Sequence, residues 1–324
     1  MKLLFFLALT CLPNFASERF LLAAGHQVIE VDRSGKVTEI LRYPGHTLIY
    51  DAWRLPGGGI AYAHRRGLAL FDKAGKLILD HASVQGPTGQ EADGITVLEN
   101  GNQFALLDTG AGEIRVVSRG GTVLSQTPLP GLGGDPLHSR YRVVRQSRAG
   151  NAFWVSQFSR RKVLRIERGT GKILNSISLD PHLDPPASAH KSFAILDPGD
   201  GTLLITSATG KQILRFNADG EFHSSWNAAQ LGISCASTLG VQSLPNKNLL
   251  LACGDYHIDS PAAARDVLVE INTAGTVVWR LTHDQLASQI EGTKDSKTGH
   301  EHLHVANVHF YDTDDPAGVL AVFR

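Results

Sequence analysis

Methionine occurs once in 324 residues, cysteine three times, and charge of neither sign is in excess, with 31 Lys and Arg against 31 Asp and Glu. The balance removes the basic footprint that binds nucleic acid or an anionic membrane face. Scarce methionine beside 33 glycines fits many turns and stiff strands, and argues against long amphipathic helices. Beyond the N-terminus no apolar run approaches the roughly 20 residues of a membrane-spanning helix. There is no P-loop, no His-Glu-x-x-His and no Gly-x-Ser-x-Gly, so the chemistries tied to those motifs have no carrier here.

At the N-terminus Lys2 precedes a short apolar run, Leu3 to Leu9, and Ala16 or Ser17 offers a small residue for cleavage. This is the pattern of a secretory signal peptide. It predicts residues 1–17 as a leader, 18–324 as the mature domain, and a periplasmic or secreted location. Cys235 and Cys253 would then be the only mature cysteines. A disulfide and two buried thiols are equally compatible with their positions.

What the chain does have is a recurring hairpin. Asp32-Arg33-Ser34-Gly35-Lys36-Val37 returns as Asp72-Lys73-Ala74-Gly75-Lys76-Leu77, and again around Gly121, Gly171, Gly220 and Gly275. Each copy lies between two aliphatic or β-branched runs, and the glycines are 40, 46, 50, 49 and 55 residues apart. A period of that size, with strands on both sides of a tight turn, is the signature of a β-propeller. Between markers the strand runs are joined by short turns, as in Ile60-Ala61-Tyr62-Ala63, His64-Arg65-Arg66-Gly67, Leu68-Ala69-Leu70-Phe71. The expectation is an all-β, six-bladed propeller of four-stranded antiparallel blades. The chain ends share the sixth blade. His304 to Phe310 supplies its innermost strand and Phe20 to Ala23 pairs with it, which closes the ring and removes free sheet edges. Val319 to Phe323 is a second strand of that blade or an extra one.

Strand direction sorts the loops onto two faces. The marker face carries ordinary turn residues. The opposite face, formed by the outer-to-inner connectors and the second-to-third-strand turns, collects twelve of the fourteen histidines. Several precede the innermost strands, and aligning those strands puts Glu91, Asp93, His138, Arg140, His190, Lys191 and His304 at nearly equivalent places around the channel. In His300-Glu301-His302-Leu303-His304, residues two apart share a face of an extended chain. His302 and His304, with His138 and His190 on neighbouring connectors, are therefore candidate ligands for a divalent transition metal. His64, Arg65, Asp255 and His257 join Glu91, Asp93 and His138 as candidate ligand-binding residues. The last two lie in an unusually long loop, Gly254 to about Arg265, on the same face.

The Leu-Pro-Gly-Gly and Leu-Pro-Asn-Lys inner turns, followed by a third strand and an Asp/Asn-x-x-Gly-x-Val-x-Trp hairpin, resemble exported bacterial propellers. These are the pyrroloquinoline-quinone-like and arylsulfotransferase-like repeat families, with NHL-type propellers close behind. The tryptophan docking signatures of quinoprotein dehydrogenases are missing. Arylsulfotransferases use a histidine nucleophile near the axis among other His and Arg residues; His138, Arg140, His190, His302 and His304 are similar in kind. Two functions fit: a propeller that binds a small polar ligand, glycan or protein partner at the histidine face, or an enzyme with an axial histidine. In an enzyme, a transferase, lyase or hydrolase, His190 or His304 would be the reactive group, with Arg140 and Lys191 stabilising negative charge.

Overall fold

The computed structural model describes residues 17–87, 89–131, 133–184, 191–255, 265–290, 293–294, 301–303 and 305–313, with 293–294 and 301–302 described in the backbone alone. Six four-stranded antiparallel sheets stand around a common axis. Blade one, from inside outward, is Asp51–Arg54, Ile60–His64, Gly67–Phe71 and Leu77–Ala82. Blades two to five begin on the inner strands Ala92–Leu98, Tyr141–Gln146, Ile195–Leu196 and Ser237–Ser243. Blade six places the C-terminal strand Val305–Asp312 innermost against Glu18–Ala24, and so closes the ring as the sequence predicts. Val319 to Phe323 lies outside the described residues. Among the described residues no helix is long and apolar enough to cross a membrane.

The marker hairpin has a simple physical basis. All six marker glycines have positive φ, from 74° at Gly75 and Gly171 to 90° at Gly220, where an L side chain is strained. Where Asp or Asn leads the turn, its carboxyl or amide oxygen caps the loop: Asp72 Oδ1 accepts from Ala74 N and Lys76 N, both at 2.9 Å. Asn272 repeats this with Ala274 N and Thr276 N. The Asx contact and the glycine together bend the chain back and leave a register shift on the third strand, as between Leu70 and Phe71.

Middle strands are buried on both faces, whereas outer strands alternate, as in Leu77–Ala82. The blades pack through aliphatic and aromatic side chains, and the closure is sealed the same way. Phe20 stacks on Trp279 of blade five at 5.1 Å and meets Phe310 at 5.8 Å. Burial of this interface is what ties the first and last strands to the rest of the ring. Trp53 differs from the other three tryptophans: it stands on an inner strand and lines the axial channel.

Inner strands of neighbouring blades stand side by side around the axis, and polar side chains bridge them. Asp51 accepts from Arg145 Nη1 at 2.7 Å and from Asn307 Nδ2 at 2.8 Å, joining blades one, three and six. Gln242 of blade five accepts from Phe310 N at 2.6 Å. Toward the far ends of the inner strands lies a cavity of about 50 Å³, lined by Trp53, Glu99, Arg145, Asp197, Gln242 and His309 among others. That volume suits a few waters and excludes an organic ligand.

Candidate functional site

The inner strands start at the histidine face, and there blades one, two and three converge. The strand Ala92–Leu98 carries Asp93 as its second residue, with Glu91 just before it. A single helical turn, Leu137–Ser139, precedes Tyr141–Gln146 and sets His138 above the two acids. Glu91 and Asp93 are each 1% exposed, whereas the His138 side chain is 52% exposed. The Glu91 carboxylate accepts a hydrogen bond from His138 Nδ1, and the Tyr50 hydroxyl lies 3.4 Å from the same nitrogen. In the neutral ring this contact puts the proton on Nδ1 and leaves the lone pair on Nε2. Among the described residues nothing bonds to that Nε2.

Arg142 organises the floor of this site. Its Nη1 donates to Asp93 at 2.6 Å and its Nη2 donates to the His138 carbonyl. Its guanidinium lies 5.7 Å from the Tyr50 ring centre and 4.7 Å from that of Phe158. Lys191 Nζ reaches the same Phe158 ring at 6.0 Å, so two cations flank one aromatic side chain. Burial works against charge on both acids. For Glu91 it is outweighed by the hydrogen bond and charge of His138 and by Arg142 and Arg65, which hold the carboxyl below its usual range. For Asp93 burial wins, aided by the Glu91 charge and opposed by Arg142, and the carboxyl is pushed up to about 7. One acid is a fixed anion and its neighbour is poised to change charge near neutrality.

The other sequence candidates divide. Arg140 turns aside: its Nε donates to the Asp135 carbonyl at 3.0 Å, since the turn before the strand leaves that carbonyl within reach. Asp255 is buried and accepts from Leu303 N at 2.9 Å, with His283 Nε2 at 3.4 Å, so it anchors the C-terminal segment. His64 belongs to a separate cluster in blade one. Its ring stacks on His46 at 3.8 Å and 14°, with Asp80 carboxylate oxygens 3.2 Å from His46 Nε2 and 3.4 Å from His64 Nε2. His46 Nδ1 is 2.6 Å from the buried Tyr62 hydroxyl. Burial first, and the His46 ring second, push His64 down to about 4. His190, His257 and His304 lie outside the described residues, as does the side chain of His302. Cys235 and Cys253 are buried free thiols.

Two groups bring ligand atoms within 4.8 Å of one another: His46, His64 and Asp80, and Glu91, Asp93 and His138. Neither donor set suits a transition metal as it stands. Stacked, near-parallel imidazoles direct their lone pairs side by side instead of toward one ion. In the second group the Arg142 guanidinium already occupies Asp93 and would repel a cation.

Arg142, Tyr50, Phe158 and Asp51 escaped the sequence reading. Arg142 and Arg145 had a signal: two charges inside the apolar strand Tyr141-Arg142-Val143-Val144-Arg145, where an unpaired cation is costly. Their partners could not be named, because Asp93 and Asp51 lie 49 and 94 residues away.

Similarity to solved structures supports the fold. A protein of unknown function from Bacteroides caccae superposes with a TM-score of 0.73 at 18% identity, covering 90% of this chain and 98% of that one. A streptogramin B lyase gives 0.56 at 18% identity, covering 81% and 78%. The propeller of a nidogen–laminin complex gives 0.61 at 12% identity, covering 91% and 99%. No protein-family model matches the chain. No curated protein matches it either. At these identities the likeness is one of fold alone.

Proposed function

We propose that the protein binds a small polar ligand at the histidine-rich mouth of the propeller channel, over His138, Glu91, Asp93 and Arg142. One observation carries this reading: a half-exposed imidazole whose Nδ1 is held by an almost fully buried carboxylate. Burying Glu91 in its charged form costs free energy, and a surface histidine needs no such support to fold. Held this way, Nε2 of His138 accepts a hydrogen bond in a fixed direction, while Arg142 and Lys191 supply positive charge beside it.

Acid–base chemistry at the same imidazole is the second reading. It draws on the Glu91–His138 pair, which would stabilise the ring once it took a proton from a substrate. A propeller neighbour is a streptogramin B lyase, but at 18% identity its activity is an analogy. We further propose export, with removal of residues 1–17. The first strand begins at Glu18, so cleavage there leaves every strand of blade six whole and gives up only the Ser17 carbonyl that accepts from Thr313 N at 3.1 Å.

The test is a screen of small polar metabolites and glycans by saturation-transfer NMR on the mature chain. Hits on the wild type should disappear in His138→Ala and weaken in Glu91→Gln. Hits that survive both variants unchanged would overturn the proposal.

A further inference from the structure

Next to this site lies an open pocket of about 420 Å³ lined by Thr47, Arg65, Arg66, Gln85 and Gln90. Among the described residues no acidic side chain lines it. Arg65 and Arg66 are the two central residues of the hairpin between the second and third strands of blade one, where His64 pairs with Gly67. Two-residue hairpins favour Asn-Gly or Gly-x, whose central residues take positive φ. Here neither arginine has positive φ, and the strain passes to Gly67 at 155°, where a Cβ would lie 2.1 Å from the His81 carbonyl oxygen. The turn thus departs from its usual chemistry and presents two adjacent guanidinium groups, a local exception of the kind that marks functional positions.

The backbone of this turn is fixed from three sides. Arg65 N donates to Thr47 O at 3.2 Å, Ala92 N donates to Arg65 O at 2.9 Å, and Ser83 N donates to Arg66 O at 2.7 Å. The Ala92 contact ties the turn directly to the strand that carries Asp93 and follows Glu91. The Arg65 charge helps to hold the Glu91 carboxyl down, and the Arg66 charge helps to lower His64. Elsewhere, Arg54, Arg142, Arg145, Arg160, Arg161 and Arg280 all meet carboxylates. Among the described residues the side chains of Arg65 and Arg66 meet none. Two like charges on neighbouring residues repel, and an oxyanion bridging them relieves the repulsion with paired, charge-assisted hydrogen bonds. The Thr47 hydroxyl is exposed at the same rim and can donate a further one.

We infer that the Arg65–Arg66 pocket takes the oxyanion group of the ligand, so that the ligand is a small molecule carrying a phosphate, sulfate or carboxylate. The inference rests on the proposed function for the far end of the ligand, which reaches His138. The pocket volume is within the range of small-molecule sites.

Calorimetric titration of the mature protein with inorganic phosphate, sulfate and succinate at low ionic strength tests this. Saturable one-site binding of at least one anion is expected, weakened about 10-fold by Arg65→Gln or Arg66→Gln and abolished in the double variant. Both side chains are exposed, and unchanged circular dichroism checks that the variants fold. Absence of saturable binding, binding unchanged in the double variant, or loss that chloride reproduces at matched ionic strength would each overturn the inference. The two proposals separate cleanly. Screen hits that need His138 but carry no anionic group sink the anion pocket and leave the ligand site. Anion binding that needs Arg65 and Arg66, with no hit needing His138, sinks the ligand site and leaves the pocket.

Discussion

The buried Glu91 carboxylate accepts a hydrogen bond from Nδ1 of the half-exposed His138. This contact spans 47 residues and joins the inner edges of blades two and three. It gives a surface imidazole a fixed orientation, which ordinary loop histidines lack.

Glu91→Gln keeps the shape and removes the charge. His138-dependent ligand binding should weaken about 10-fold, as expected for losing a hydrogen bond to a charged partner. The same substitution removes the anion that helps raise Asp93, so the Asp93 carboxyl should titrate below the value of about 7 found beside Glu91. Carbon-detected NMR of the Asp93 side chain reads this directly. An unmoved Asp93 titration would show that the two acids do not share a field.

Arg142→Met leaves Asp93 buried without its cation. Breaking such a pair costs about 3–5 kcal/mol when the remaining group stays charged. Asp93 can escape by taking a proton, so the loss should be largest above neutrality and smaller in mild acid. Urea unfolding at several pH values measures it, and adding Asp93→Asn should recover part of the loss. A uniform loss at every pH would point to packing over Tyr50 and Phe158 instead of charge.

Two sets of groups pull stability in opposite directions between about pH 4 and 6.5. Asp93 binds its proton more tightly in the folded protein, at about 7 against 3.8, so its contribution falls as pH rises through that window. His64, at about 4 against 6.5, and His309, at about 3 against 6.5, are held neutral chiefly by burial. The unfolded chain takes those protons first, so their contribution is lost as pH falls below 6.5. Asp93→Asn deletes only the first trend. Its urea midpoint relative to wild type should therefore improve steadily from pH 4 to pH 7, and a flat difference would exclude the raised Asp93 value.

How much of this was legible in the sequence depended on distance along the chain. The marker turn is local: a side-chain oxygen, a positive-φ glycine and two flanking strands lie within about six residues, and their recurrence counted the blades. Ring closure followed from the half-blade at each end. Of the twelve histidines assigned to one face, His26, His46, His64, His81, His138, His182 and His283 stand in or beside its connectors and turns, and the side chains of the other five lie outside the described residues. Contacts across the axis did not follow. Asp51 meets Asn307 256 residues away, and no local pattern marks either as the other's partner. His64 shows the same limit. Its face was readable, but its ring turns outward to His46 and Asp80 in its own blade, while His309, set inside a strand, is buried at the axis with Nδ1 accepting from Arg54 N at 3.0 Å. Cys253 pairs across its hairpin with Thr238 and not with Cys235, and both thiols are free.

The two thiols offer an independent check. Cys235 and Cys253 are free and buried, and the Cys253 thiol is pushed well above its usual range by the neighbouring Cys235 and by burial. A thiol held protonated reacts slowly. Native protein should therefore react slowly with an aromatic disulfide reagent, and denatured, unreduced protein should titrate two thiols for the mature chain. Zero thiols under denaturing conditions would mean that the pair oxidises.

Gly240 tests the axial network from the far side. It sits within the irregular stretch of the blade-five inner strand, and a Cβ there would lie 2.6 Å from Asn307 Oδ1 and 3.0 Å from Ala252 Cβ. Its φ is outside the glycine-only region, so space alone decides the outcome. Ala252 lies in a buried middle strand and cannot retreat, which leaves Asn307 to move. Asn307 would then loosen its hydrogen bond to Asp51, a buried carboxyl already pushed up by burial, and leave it to Arg145 and the Ile95 N–H. Gly240→Ala is expected to cost about 1–3 kcal/mol in urea unfolding, the usual range for overpacking. In Gly240→Ala combined with Asn307→Ala the 2.6 Å contact with Oδ1 is gone, while those with Ala252 Cβ at 3.0 Å and the Asn307 Cα at 3.2 Å remain, so the two costs should sum to more than the double variant loses. Strict additivity would show that Gly240 acts through the Ala252 side of the sheet and not through the axis.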